Sequence, residues 1–211
     1  MKCKPEIKDL DFTKKDKYYN SRSPAWRVEK FQRNFIANEL KKFSDEDIFF
    51  LSDLDEIWNP SLAREMRFLP ALPELCRLQM KHCNFYFNCV GTGKKNSTWH
   101  QTYFGKVNVL KKVDNLSYIR TDYRIPIIKD GGWHFSYLGN INQLADKISS
   151  YSHSEYDTPY FNNKKKLKNC IEKGIDIFDR EDFEWTFQSI SNFPKKLQQE
   201  FKKYPEFIRD I

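Results

Sequence analysis

The chain has 211 residues, 39% apolar and 16% aromatic, with only 7 glycines. That is enough apolar material for one buried core and too little glycine for collagen, flexible linkers or long low-complexity tracts. Lysine and arginine outnumber aspartate and glutamate by 36 to 29, a net charge of +7, but 26 of the 36 are lysines scattered in short runs. A reader of nucleic acid leans on arginine's planar fork, so no nucleic-acid partner is expected, only a general pull on anionic ligands. Five cysteines, Cys3, Cys76, Cys83, Cys89 and Cys170, form no C-x-x-C pair and read as free thiols, mostly buried. The N-terminal residues lack an apolar signal core, and the longest apolar runs are about four residues, far short of a membrane span. The expectation is a soluble, cytoplasmic chain.

Along the chain, residues 7–12 read as a short strand, followed by a charged loop to Pro24. Residues 26–43 read as a helix, with Phe31, Phe35, Ile36, Leu40 and Phe43 on its apolar face and Glu29, Lys30, Arg33, Glu39 and Lys41 on its wet face. The continuous run Ile48–Leu51 predicts a strand buried on both faces, ending in Ser52-Asp53-Leu54-Asp55-Glu56. Asn59 and Pro60 are a cap and first turn for a helix carrying Leu62, Met66 and Leu69, stopped by Pro70 and Pro73. Residues 78–90 alternate, and with 103–110 and 118–121 they predict further strands. Asn140 caps a helix with Ile141, Leu144, Ala145 and Ile148 on one face, and a helix over 164–173 ends at Gly174. No repeat or clean linker interrupts this order. Residues 1–180 read as one domain and 181–211 as a helical extension.

Asp53 and Asp55 are the first candidates for chemistry. Two carboxylates two residues apart on extended chain point to one side, and hard divalent cations want such oxygens. With 16 aspartates in the chain, chance alone supplies about one D-x-D. Three occur, and only this one follows a buried-strand run; Asp9/Asp11 and Asp45/Asp47 read as solvated surface. Gly131 and Gly132 precede Trp133 and His134, where glycine permits close backbone approach and His134 offers a ligand or phosphate contact; a tight turn with a core histidine is the plainer alternative. Gly91-Thr92-Gly93-Lys94 lacks Walker spacing and reads as a hairpin turn. Cys76, His82, Cys83 and Cys89 lack structural-zinc spacing. Asn96-Ser97-Thr98 is a sequon that carries meaning only on secretion.

Taken together, residues 26–34 (WRVEKFQRN), 47–57 (DIFFLSDLDEI), Arg124 with 132–137 (GWHFSY), 147–155 (KISSYSHSE) and 174–180 (GIDIFDR) resemble, in order, glycosyltransferase family 17. Animal members of that family add the bisecting N-acetylglucosamine to N-glycans. The resemblance implies an α/β fold, a GT-A-like, Rossmann-related mixed sheet flanked by helices. It implies metal-dependent, inverting transfer of N-acetylglucosamine from a UDP-sugar donor to a glycan acceptor. Donor binding would then fall to Asp53, Asp55, Arg124, Gly132, Trp133 and His134, with Mn²⁺ or Mg²⁺ on Asp53, Asp55 and His134. Inversion needs a base for the acceptor hydroxyl, and Glu56, Asp130 and Glu155 stand equally as candidates. Family members normally carry a strand-helix-strand section ahead of the matching part, so the domain is expected to be N-terminally truncated and to hold its donor weakly.

Two other classes compete. A haloacid-dehalogenase-like phosphatase would use Asp53 as nucleophile and Asp55 as acid/base, but would place Thr or Val where Ile57 stands. A catalytically degenerate transferase would survive as a binding protein.

Overall fold

The computed structural model describes residues 24–68, 73–113, 115–122 and 124–211; the strand expected over 7–12, Cys3, Asp9/Asp11, Leu69 and Pro70 lie outside them. In chain order the elements are α1 (Pro24–Leu40), β1 (Ile48–Leu51), β2 (Glu56–Trp58), α2 (Pro60–Glu65), β3 (Leu75–Asn84), β4 (Cys89–Gly91), β5 (Thr98–Trp99), β6 (Tyr103–Lys106), α3 (Val107–Leu110), α4 (Leu116–Ile119), β7 (Ile127–Ser136), α5 (Ile141–Ser150), α6 (Lys164–Lys173), β8 (Trp185–Phe187) and α7 (Lys195–Phe201). β3 is the axis of a mixed sheet. It runs parallel to β7 and antiparallel to β6, β5 and β4, while β1 extends the sheet from β6, β2 from β7 and β8 from β4. A mixed sheet flanked by helices is the expected α/β class and is compatible with a GT-A-like fold.

The helix signals in the sequence act as their chemistry dictates. Asn59 Oδ1 accepts from the Ser61 N–H (3.0 Å) to start α2. Asn140 and Gln143 form a reciprocal capping box at α5, and Gly174 closes α6 in the left-handed conformation at φ 64°. Leu144 and Ile148 of α5 meet Leu167 and Cys170 of α6 in one buried cluster with Trp185. The described cysteines, Cys76, Cys83, Cys89 and Cys170, are buried free thiols as expected.

Four expectations need correction. Both faces of β1 are covered, by Met66, Leu78 and Phe104 on one side and Leu40 and Tyr103 on the other. Yet its residues are only half-buried, because among the described residues it pairs with β6 alone. The helix face of α1 is rotated from its hydrophobic pattern: Phe35 is 52% exposed while Arg33 is 16% exposed in its side chain. An ion pair, described below, sets that rotation. Residues 118–121 are not a strand. Leu116 and Ile119, at i and i+3, are buried, Asn115 Oδ1 accepts from the Ser117 N–H (3.1 Å), and Asn34 of α1 accepts from the Leu116 N–H (3.1 Å), so a single capped helical turn forms instead. Likewise 103–110 is strand only to Lys106 before the turn of α3.

Residues 181–211 supply strand β8 as well as α7. Phe201 stacks on Phe87 (4.3 Å between ring centroids) and meets Phe135, and the buried Asn88 amide bonds the backbone of Gln188 and Arg209. Asn96 ties the same segment from another side, donating to the Glu184 carbonyl (2.8 Å) and accepting its N–H (3.2 Å) while fully buried.

β7 carries a bulge: its partners on β3 advance from Leu78 to Met80 while β7 advances from Ile128 to Gly132. Gly132 takes φ 145°, and a Cβ there would lie 2.1 Å from the Ile57 carbonyl oxygen. Gly132→Ala should therefore cost ~3 kcal/mol or more, from strain plus overlap with backbone that cannot move aside. A urea midpoint within error of the parent would contradict this.

Candidate functional site

β1 delivers the chain into a turn, not into further extended strand. The Glu56 N–H donates to the Asp53 carbonyl (3.1 Å), Leu54 at the tip is fully exposed, and the Asp55 carbonyl accepts from the Phe135 N–H (2.8 Å) on β7. The period-two argument for Asp53 and Asp55 thus fails, since it holds only for extended backbone. The two carboxylates have different partners.

Asp53 faces two arginines. Arg33 of α1 donates to both its oxygens (2.8 and 3.1 Å), and Arg120, just beyond α4, donates to Oδ2 (2.7 Å). Arg33 also bonds Glu29 (3.1 Å), Arg120 lies 3.8 Å from Glu29 and 3.7 Å from Glu56, and the Ser152 hydroxyl donates to Glu29. Burial works against the charge on Asp53, but the guanidinium of Arg120 and then that of Arg33 outweigh it and hold the carboxyl below its usual range.

Asp55 faces His134 and Lys147. Its Oδ2 lies 3.5 Å from His134 Nε2 and 3.4 Å from Lys147 Nζ, whose ammonium also sits over the Tyr137 ring at 4.7 Å. Burial again opposes ionisation, yet His134 and then Lys147 bring the carboxyl down to about 2. The β2–β7 register makes this meeting inevitable, because Glu56 is the partner of His134 and Asp55 precedes it.

Glu56 is the buried post behind both. It accepts from the Asp53 N–H (2.7 Å), Trp99 Nε1 (2.5 Å) and the Thr102 hydroxyl (2.6 Å) at 4% exposure. Trp99 in turn stacks on His134 (4.1 Å between centroids), which also stacks on its β3 partner His82 (4.8 Å). Burial pushes His82 well below the ordinary histidine range, so it packs as a neutral ring. His134 Nδ1 is buried with no hydrogen-bond partner among the described residues.

The remaining sequence candidates separate. Trp133 alternates with His134 and packs in the cluster of Phe193 and Phe201, on the other face of β7 from Asp55. Gly132 is filled by Ile57 backbone and leaves no room for a ligand. Asp130 is exposed at the bulge at φ 54°, its carbonyl accepting from the Asn59 side chain (3.0 Å). Arg124 pairs with Asp122 (2.6 Å) with its side chain 89% exposed. Glu155 accepts a hydrogen bond from, or pairs with, His153 Nδ1 (2.7 Å) on the segment after α5. Asp45 of the second D-x-D pairs with Lys111 at the surface, as expected of solvated residues. Sequence reasoning missed Arg33, Arg120, Lys147 and Trp99. Glu29 and Arg33 carried a signal, an i,i+4 pair of opposite charge, but such pairs are ordinary on wet helix faces.

Two outcomes follow from this wiring. Arg120→Met leaves Asp53 and Glu56 short of a buried cation and should cost about 3–5 kcal/mol in urea unfolding. Asp55, held near 2 when folded and near its ordinary ~3.9 when unfolded, adds stability that is complete above that unfolded value and is lost as pH falls toward the folded one. Asp55→Asn should therefore flatten the acid limb of the pH–stability curve, seen as a smaller change in urea midpoint between about pH 6 and pH 3 than the parent shows.

The sequence model of glycosyltransferase family 17 matches residues 8–206. No curated protein and no solved structure matches significantly. The match runs through the β1–β2 turn, His134 and the segment after α5, and it decides against the phosphatase reading, which would also need an unencumbered Asp53. Among the described residues no helix is long and apolar enough to cross a membrane. The chain belongs to glycosyltransferase family 17, and is a glycosyltransferase that acts between a sugar donor and an acceptor.

Proposed function

We propose that this chain transfers N-acetylglucosamine from its UDP donor to a glycan hydroxyl with inversion, using Mn²⁺ or Mg²⁺ held by Asp55 and His134. The supporting observation is the approach of Asp55 Oδ2 to His134 Nε2 at 3.5 Å, with the His134 ring stacked on Trp99 and His82. Around them Glu29, Asp53 and Glu56 are engaged by Arg33 and Arg120, while Asp55 meets only His134 and Lys147 among the ion pairs of the described residues. Among the described residues no three His, Cys, Asp or Glu groups surround a common point. A hard divalent ion in phosphate chemistry commonly takes only one or two protein ligands and fills its shell with water and phosphate oxygen, and Asp55 with His134 fits that pattern. Asp53 does not join it, because both its oxygens are occupied by arginine. A bound ion would neutralise the charge that develops on the departing diphosphate.

The chain's own groups do the rest. Trp99, anchored on Glu56, fixes the plane of the His134 ring. Lys147 brings a mobile ammonium to the same carboxylate and can follow a diphosphate oxygen. Glu56 spends its oxygens on three donors and is unsuited to taking a proton from the acceptor.

Calorimetry with UDP tests the proposal. Mn²⁺ should tighten UDP binding by about tenfold or more, Asp55→Asn should abolish that gain, and His134→Ala should reduce it. UDP binding that is indifferent to Mn²⁺ overturns the metal site.

A further inference from the structure

We infer that His153 is the general base of the transfer, with Glu155 as its positioning residue and with the acceptor entering beside Trp26, an inference that rests on the transferase reading above. Lys147 of α5 touches Asp55, and the chain leaving α5 brings Ser152 onto Glu29, so His153 stands on the flank of the carboxylate cluster. Its Nδ1 meets Glu155 Oε1 at 2.7 Å. A carboxylate on Nδ1 fixes the tautomer that leaves the lone pair on Nε2 and steadies the imidazolium once a proton arrives.

The ring is held in place as well as polarised. The Trp26 ring meets it edge to face at 4.4 Å between centroids, and Tyr151 and Tyr156 stand at 5.4 and 6.0 Å. Its side chain remains 44% exposed, open to an incoming hydroxyl. Trp26 also borders a shallow surface notch with Glu29, Lys30 and Ser117. An aromatic face beside carboxylate, ammonium and hydroxyl groups is chemistry suited to a sugar ring, which offers an apolar face and a rim of hydroxyls. The other base candidates do not combine these features: Glu56 is buried and spent, and Asp130 lies at the β7 bulge.

In the step itself the acceptor oxygen forms a bond to the anomeric carbon while the bond from that carbon to the diphosphate oxygen breaks, its electron pair leaving with the diphosphate. The acceptor proton passes to His153 Nε2 and then to water. The products are a glycoside, nucleoside diphosphate and one proton.

The test uses the full chain, UDP-N-acetylglucosamine and Mn²⁺, with water as the acceptor and azide as a nucleophile that needs no deprotonation. His153→Ala should lower UDP release in plain buffer by about 100-fold or more while UDP affinity stays within about twofold, and azide should restore release with a glycosyl azide as product. Glu155→Gln should lower kcat by about tenfold with little change in donor KM. A His153→Ala protein that releases UDP within about threefold of the parent overturns the assignment, as does one that binds UDP normally yet is not rescued by azide. A parent that binds UDP but gives neither UDP release nor glycosyl azide overturns the proposed transfer of N-acetylglucosamine from its UDP donor, and this assignment with it.

Discussion

Arg33 and Arg120 both meet the half-buried Asp53 carboxylate, and this contact fixes the relative placement of the β1–β2 turn, α1 and α4. With two guanidinium groups on it, the charge becomes a joint between one end of the sheet and two helices. The same contact accounts for the orientation of α1. A helix that turned Phe35 inward would swing Arg33 away and strip the half-buried Asp53 carboxylate of a two-pronged partner. Glu29 and Ser152 extend the joint to the segment after α5, so elements distant in sequence converge on one carboxylate.

From that joint comes a division of labour between two aspartates that look equivalent in the sequence. The turn sends Asp53 into the protein and leaves Asp55 on the side of His134 and Lys147. One carboxylate is matched by fixed cations and organises structure. The other is matched by a histidine and a flexible lysine, partners that can rearrange around an anionic ligand. Behind them Glu56 holds the Asp53 backbone, Trp99 and Thr102 together, which keeps the histidine ring from rotating and the turn from unwinding.

The local grammar of the sequence was readable where one residue type has one common use. Asn59, Asn140 and Gly174 marked helix ends because caps depend on side-chain oxygens and positive φ. Ile48–Leu51 marked a strand because a four-residue apolar run leaves few alternatives. The candidate site was readable only in outline: Asp55, His134 and Glu155, which the proposals use, lie in stretches that draw attention by composition or resemblance. Arg120 was hidden because its segment, rich in Tyr, Ile and Thr, has strand propensity that the Asn115 cap and the packing of Leu116 and Ile119 override. Lys147 and Arg33 were hidden because charge on a helix face is normally solvated, and nothing local records that a carboxylate from another element will arrive. Trp133, next to His134 in sequence, was misjudged for the opposite reason: adjacency along a strand separates side chains to opposite faces.

The Asn96 amide, both ends of which hold the backbone of Glu184, has a bearing on where such a chain could mature. A carbohydrate attached through that nitrogen would leave it a single N–H and force a bulky polar group onto a fully buried side chain where β4 and β8 come together. Covalent decoration of this asparagine and closure of the C-terminal strand are therefore mutually exclusive, and any secretory route would have to leave the Asn96-Ser97-Thr98 tripeptide unmodified for the enzyme to reach its native form.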